Sequence, residues 1–106
     1  MPADTINWEA FFPNIDTKNV AAAGTPEQLT VRLVKGTSIW LKPKGAANYS
    51  APTGSVLLVD GENPATAAAT KKIPIPADGV VLSLEEPRKL FIDVTVNGEG
   101  VHWAAL

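Results

Sequence analysis

The sequence predicts an all-β domain: a small antiparallel β-sandwich or barrel of six to seven strands, with a short N-terminal arm or helical turn. Three observations predict it. The stretch from Ile73 to Leu106 alternates short apolar runs (Val80-Val81-Leu82, Leu90-Phe91-Ile92-Asp93-Val94-Thr95-Val96, Val101-His102-Trp103) with turn residues (Pro76-Ala77-Asp78-Gly79, Glu86-Pro87-Arg88, Asn97-Gly98-Glu99-Gly100). Strand-like runs recur along the chain at intervals of roughly 8–15 residues, the spacing of sandwiches and small barrels. Helical spacing is confined to one short N-terminal segment, too little for an α/β fold.

Residues 1–19 read as an aromatic arm and 20–106 as the β-sandwich domain. In the arm, Trp8, Phe11 and Phe12 stand at i, i+3 and i+4, one face of a helical turn. Asp4 or Thr5 could cap that turn and Pro13 would stop it. The three aromatics either plug one end of the sandwich or dock on a neighbouring subunit or larger lattice, because a free monomer rarely leaves such rings exposed.

Val20-Ala21-Ala22-Ala23 is a weak strand or linker before a turn. Leu29 to Val34 alternates as a strand, with Leu29, Val31 and Leu33 facing one way and Thr30 and Arg32 the other. Lys35-Gly36-Thr37 turns into a strand, Ser38 to Lys42, which Pro43 ends. Lys44 to Gly54 is a Gly-, Ala-, Asn-, Ser- and Pro-bearing surface loop. Ser55 to Val59 is a buried strand closed by Asp60-Gly61, and Glu62 to Thr70 is a one-turn helix or an irregular loop. Two prolines keep Lys72-Ile73-Pro74-Ile75-Pro76 at an edge or in a connector. The tail supplies strands at about 79–84, 89–96 and 101–105, the last two forming a hairpin across Asn97-Gly98-Glu99-Gly100.

The 106 residues suffice for one domain with one core. Hydrophobic residues make up 45% and charged residues 19%, a globular balance. A net charge of -2 and a pI near 5.2 argue against a nucleic-acid partner held by phosphate neutralisation. Lys35, Lys42 and Lys44, and the pair Lys71-Lys72, read as solvated sheet-edge lysines. With no cysteine there is no disulfide scaffold, thiolate metal site or thiol nucleophile. No apolar run approaches the ~18 residues of a membrane span. The N-terminus shows no secretory pattern, so synthesis and assembly in a cytoplasm are expected.

Candidate chemistry is sparse. The one histidine, His102, lies in the final strand; with Val101 and Trp103 facing the core it faces solvent or a partner. A lone histidine builds neither a hydrolytic triad nor a multi-histidine metal site, and no cofactor is expected. Asp60-Gly61-Glu62-Asn63 gathers oxygens in one turn but lacks the spaced ligands of a calcium loop. Gly98 and Gly100 sit in a turn rather than before a helix, so they are no phosphate cradle. Trp40, Tyr49 and Trp103 could form a sugar-stacking platform; packing in the core or between subunits is the competing assignment.

The order of the pieces carries a resemblance. Thr37-Ser38-Ile39-Trp40-Leu41-Lys42 leads through Pro52-Thr53-Gly54 to Ser55-Val56-Leu57-Leu58-Val59-Asp60-Gly61. Ile73-Pro74-Ile75-Pro76-Ala77-Asp78-Gly79-Val80-Val81-Leu82-Ser83-Leu84 then runs into Pro87-Arg88-Lys89-Leu90-Phe91-Ile92-Asp93 and closes on Asn97-Gly98-Glu99-Gly100-Val101-His102-Trp103. This pattern, over 29–106, resembles small virion proteins of tailed bacteriophages, the head decoration or cement type and some tail accessory proteins. The resemblance implies a non-enzymatic structural protein, often dimeric or trimeric, seated on a capsid shell in a virion assembled in the host cytoplasm. Its partner would be the major capsid protein or another virion protein, with no membrane or nucleic acid involved. The residues expected to meet partners are Trp8, Phe11 and Phe12 of the arm, with Trp40 and Tyr49. The alternative is a carbohydrate-binding or host-adsorption module of a phage tail, using Trp40 and Tyr49.

Overall fold

A computed structural model describes residues 15–60 and 72–105. The described chain is all-β, with eight strands in two antiparallel four-stranded sheets. The strands are β1 (Asp16–Asn19), β2 (Glu27–Gln28), β3 (Ser38–Lys44), β4 (Val56–Asp60), β5 (Lys72–Pro74), β6 (Val80–Ser83), β7 (Leu90–Val94) and β8 (Gly100–Ala105). Sheet A runs β1-β8-β3-β6 and sheet B runs β2-β7-β4-β5. The expected sandwich is thus present, with one strand more than the upper expectation. The expected aromatic turn at 5–12 and the loop or turn at 62–70 lie outside the described residues.

Alternation along each strand builds the core. Ile39 and Leu41 of β3 and Val101 of β8 project from sheet A; Val56 of β4 and Leu90, Ile92 and Val94 of β7 project from sheet B. Val20 and Ile75 close the cluster, and Leu29, Leu33, Leu58, Val80, Leu82 and Trp103 pack around it. Each such side chain contributes about 1.5–3 kcal/mol on full burial. Central strand β7 is buried on both faces. Its outward Phe91 lies opposite Val59 in register and the two form a second small cluster. Its outward Asp93 accepts from Lys72 Nζ at 2.6 Å and from the Gly24 N–H at 2.9 Å.

Four local expectations are corrected. The last residues of the presumed arm, Asp16–Asn19, are strand β1, paired with β8 from Asp16↔Trp103 to Asn19↔Gly100. Leu29 to Val34 is not a ladder strand: Leu29 and Leu33, four residues apart, turn to the core, while Val31 is 74% exposed. Pro43 does not end β3, which continues to Lys44. Pairing with β6 stops at Leu41, so at Pro43 the strand has β8 alone as neighbour, where a residue without N–H is tolerated. Strands β7 and β8 do not form a hairpin either. They belong to opposite sheets, and Thr95 to Glu99 carries the chain across the sandwich. Gly98 supplies a positive φ of 83° there, and its N–H donates to Val20 O. The Lys72-to-Pro76 expectation holds, since β5 is the edge of sheet B.

Candidate binding groove and apolar loop

Because Val101 and Trp103 point inward, β8 presents Gly100, His102 and Ala104 on the outer face of sheet A. His102 lies between Thr17 of β1 and Lys42 of β3. The 45–51 loop folds back over it. Gly45 N–H donates to Ser50 O and Ser50 N–H to Ala47 O, which curls the loop and brings Tyr49 above the imidazole. The Tyr49 ring stacks on His102 with centroids 4.6 Å apart and planes 15° from parallel. The Tyr49 N–H donates to His102 Nε2 at 3.0 Å. Tyr49 adopts a left-handed φ of 62°, a conformation that costs a non-glycine residue energy and that this latch maintains.

His102 is therefore buried, 3% exposed, rather than facing solvent. Because Nε2 accepts, the ring proton sits on Nδ1, which is buried without a hydrogen-bond partner among the described residues. Burial pushes the imidazole pKa below its ordinary value, and the Lys44 and Lys42 ammonium groups push it the same way.

Beside this latch, Lys42, Pro43, Tyr49, Pro52, Ala77 and His102 line a groove of about 230 Å³. Lys42 Nζ donates to Ala77 O at 3.1 Å, and no carboxylate meets it among the described residues. Lys44 is no sheet-edge lysine: its side chain is wholly buried. Its Nζ donates to Asn19 Oδ1 at 2.7 Å, Gly45 O at 2.9 Å and Ala46 O at 3.4 Å. Asn19 reaches it across Gly100, which stands between the two strands in register and carries no side chain to block the contact. Burial lowers the Lys44 pKa, with Glu99 opposing that shift. At the far end of the loop, the Glu99 carboxylate accepts from Thr53 N–H, Gly54 N–H and Thr53 Oγ1 at 2.8, 2.9 and 3.1 Å. Those bonds hold its pKa below the ordinary carboxylate value.

A second surface lies at Leu29 to Thr37. Its backbone is pinned on both sides: Leu29 N–H donates to Leu90 O, Leu33 and Arg88 exchange two bonds, and Gly36 N–H donates to Leu84 O. Leu84 N–H donates back to Thr37 O. On this fixed frame Val31 and Val34 stand 74% and 69% exposed.

The residues expected to meet partners fall in different places. Trp8, Phe11 and Phe12 lie outside the described residues. Trp40 is on the outer face of β3, 9% exposed, with its indole nitrogen against Gly79. Tyr49 is 54% exposed but has its ring on His102. Trp103 points to the core. The three aromatics Trp40, Tyr49 and Trp103 therefore do not share one platform. Sequence reasoning missed the Tyr49–His102 latch, which joins residues 53 positions apart. Among the described residues no three His, Asp or Glu side chains gather in a metal-ligating group. The oxygen-rich turn at 60–63 lies outside the residues whose side chains are described. No known protein family, curated protein or solved structure matches the chain.

Proposed function

We propose that this chain is a non-enzymatic structural protein of a phage particle, binding and stabilising the capsid shell as a decoration or cement protein. The observation that carries the reading is the Leu29–Thr37 loop. Two exposed valines three residues apart, on a backbone fixed by ladder-like bonds, offer a preformed apolar contact that costs little ordering entropy on binding. Such exposure favours a partner protein over free solution. The pattern over 29–106 supports the virion setting, with the major capsid protein as partner. The single histidine and absence of cysteine leave few nucleophile–base pairs for an enzyme. The half-exposed Tyr49 ring beside the groove supports the second reading, a carbohydrate-binding or host-adsorption module.

The test compares particles assembled with and without the protein. Particles carrying it should resist heat and low salt better and lose that gain when Val31 and Val34 are both changed to Ser. Equal resistance of complete and deficient particles would remove the cement function. A glycan array with Tyr49-dependent signal would move the assignment to the second reading.

A further inference from the structure

We infer that the groove over His102 is the receptor for this chain's own N-terminal segment, with Trp8 entering the groove and Glu9 meeting Lys42. The inference does not depend on the virion reading. It rests on shape, charge and reach.

The groove walls are Pro43, Tyr49, Pro52 and Ala77, flat apolar surfaces suited to a planar ring. Its volume of about 230 Å³ holds roughly seven waters at ~30 Å³ each, enough for one large aromatic side chain. The rim is cationic. Lys42 spends one donor on Ala77 O and has no carboxylate partner among the described residues, and no acidic side chain lines the groove. Lys44 lies in the same sheet face and adds to the positive field.

The complementary chemistry occurs in one place in the chain. Residues 1–17 contain Asp4, Glu9 and Asp16 and no lysine, arginine or histidine. Trp8 and Glu9 are adjacent, so one ring and one carboxylate arrive together. The described chain starts at Ile15, immediately before β1, whose Thr17 is paired with His102. Seven residues separate Trp8 from Ile15, a span of up to roughly 23 Å when extended. The segment therefore reaches the groove of its own molecule or that of a neighbouring copy. A ring buried against Tyr49 and Pro52 would also brace the latch that holds Tyr49 over His102. This assignment leaves the Val31–Val34 loop free to face another protein.

The experiment places a photoreactive benzophenone residue at position 8 of the full-length chain and maps the crosslinks by mass spectrometry. Crosslinks to Tyr49 through Pro52 are expected, within one chain or between two, and light scattering tells which. Lys42→Glu and Glu9→Lys should each cut that crosslink severalfold, and the double charge reversal should restore it. Backbone NMR spectra of each variant confirm that the sandwich is intact. Crosslinks to any other surface, no crosslinks at all, or failure of the double reversal to restore them would overturn the assignment.

Discussion

At the residue scale, the outer face of sheet A is organised by two buried polar side chains with opposite requirements. His102 must stay neutral so that Nε2 can accept the Tyr49 N–H. Its folded pKa lies below the ordinary value of 6.5, so in that range the unfolded chain binds more protons than the folded one. The latch contribution is complete above about pH 6.5 and is lost as pH falls toward the folded pKa. Urea unfolding measured across about pH 5.5–7.5, one unit either side of a free histidine, should show stability falling on acidification. His102→Gln should flatten that part of the profile. A second loss belongs to Glu27 and Glu99, both held below 4.5 by their hydrogen bonds, and appears as pH falls through their lowered values. Lys44 has the reverse task, since its ammonium satisfies three oxygens. Lys44→Met takes the ammonium donor from Asn19 Oδ1 and Gly45 O, while Ala46 O keeps Asn19 Nδ2, and should cost about 2–3 kcal/mol in the same unfolding assay.

At the element scale, Gly100 decides whether β1 joins the sheet. A Cβ there would fall inside the Lys18 carbonyl, which belongs to backbone and cannot rotate away. Gly100→Ala should therefore part β1 from β8 at a cost of about 2–3 kcal/mol, with amide exchange accelerated at Lys18 and Asn19. The loop at Leu29–Thr37 predicts the opposite separation of effects. Val31→Ser with Val34→Ser should leave stability within about 0.5 kcal/mol. On the proposed function, it should weaken attachment to a shell about a hundredfold, the loss of two buried valines at ~1.5 kcal/mol each.

Elements with an apolar alternation were legible in the sequence. Strands β3, β4, β6, β7 and β8 all sit near their expected positions. Strands β1 and β2, Asp-Thr-Lys-Asn and Glu-Gln, carry no apolar signal because their partner strand β8 or β7 supplies the order. The Leu29–Val34 alternation misled because Leu29 and Leu33 anchor the segment at a spacing of four, leaving Val31 between them outside. The Asn97-Gly98 signal named a chain reversal correctly but carried no information about which sheet receives the next strand. The groove was least legible: Tyr49, His102 and Ala77 meet through topology, and no local spacing encodes that meeting.

At the scale of the whole molecule, pairing is strongly non-local. The first described strand lies against the last, and the chain passes repeatedly between the sheets; the last passage, Thr95 to Glu99, leads from Val94 in one sheet to Gly100 in the other. Glu99 in that connection clamps Thr53 and Gly54, so the same crossing also fixes the end of the groove loop. Site and scaffold share these bonds, and loosening the crossing should loosen the groove with it.

The four sheet edges are unequal, and that bears on how the protein ages in concentrated solution. Sheet B ends in a two-residue strand on one side and in Lys72-Ile73-Pro74 on the other, so neither border offers a run of donors to an incoming chain. Sheet A ends on one side in β1, whose Asp16 and Lys18 put charge along a four-residue border, and on the other in β6, Val80-Val81-Leu82-Ser83, which is uncharged and has Val81 55% exposed. Fibrous growth should therefore start from β6 alone among the edges of both sheets. A single gatekeeper there, Val81→Lys, should lengthen the lag of thioflavin-positive aggregation while leaving the groove and the Val31–Val34 loop untouched. An unchanged lag would place the point of failure elsewhere in the chain.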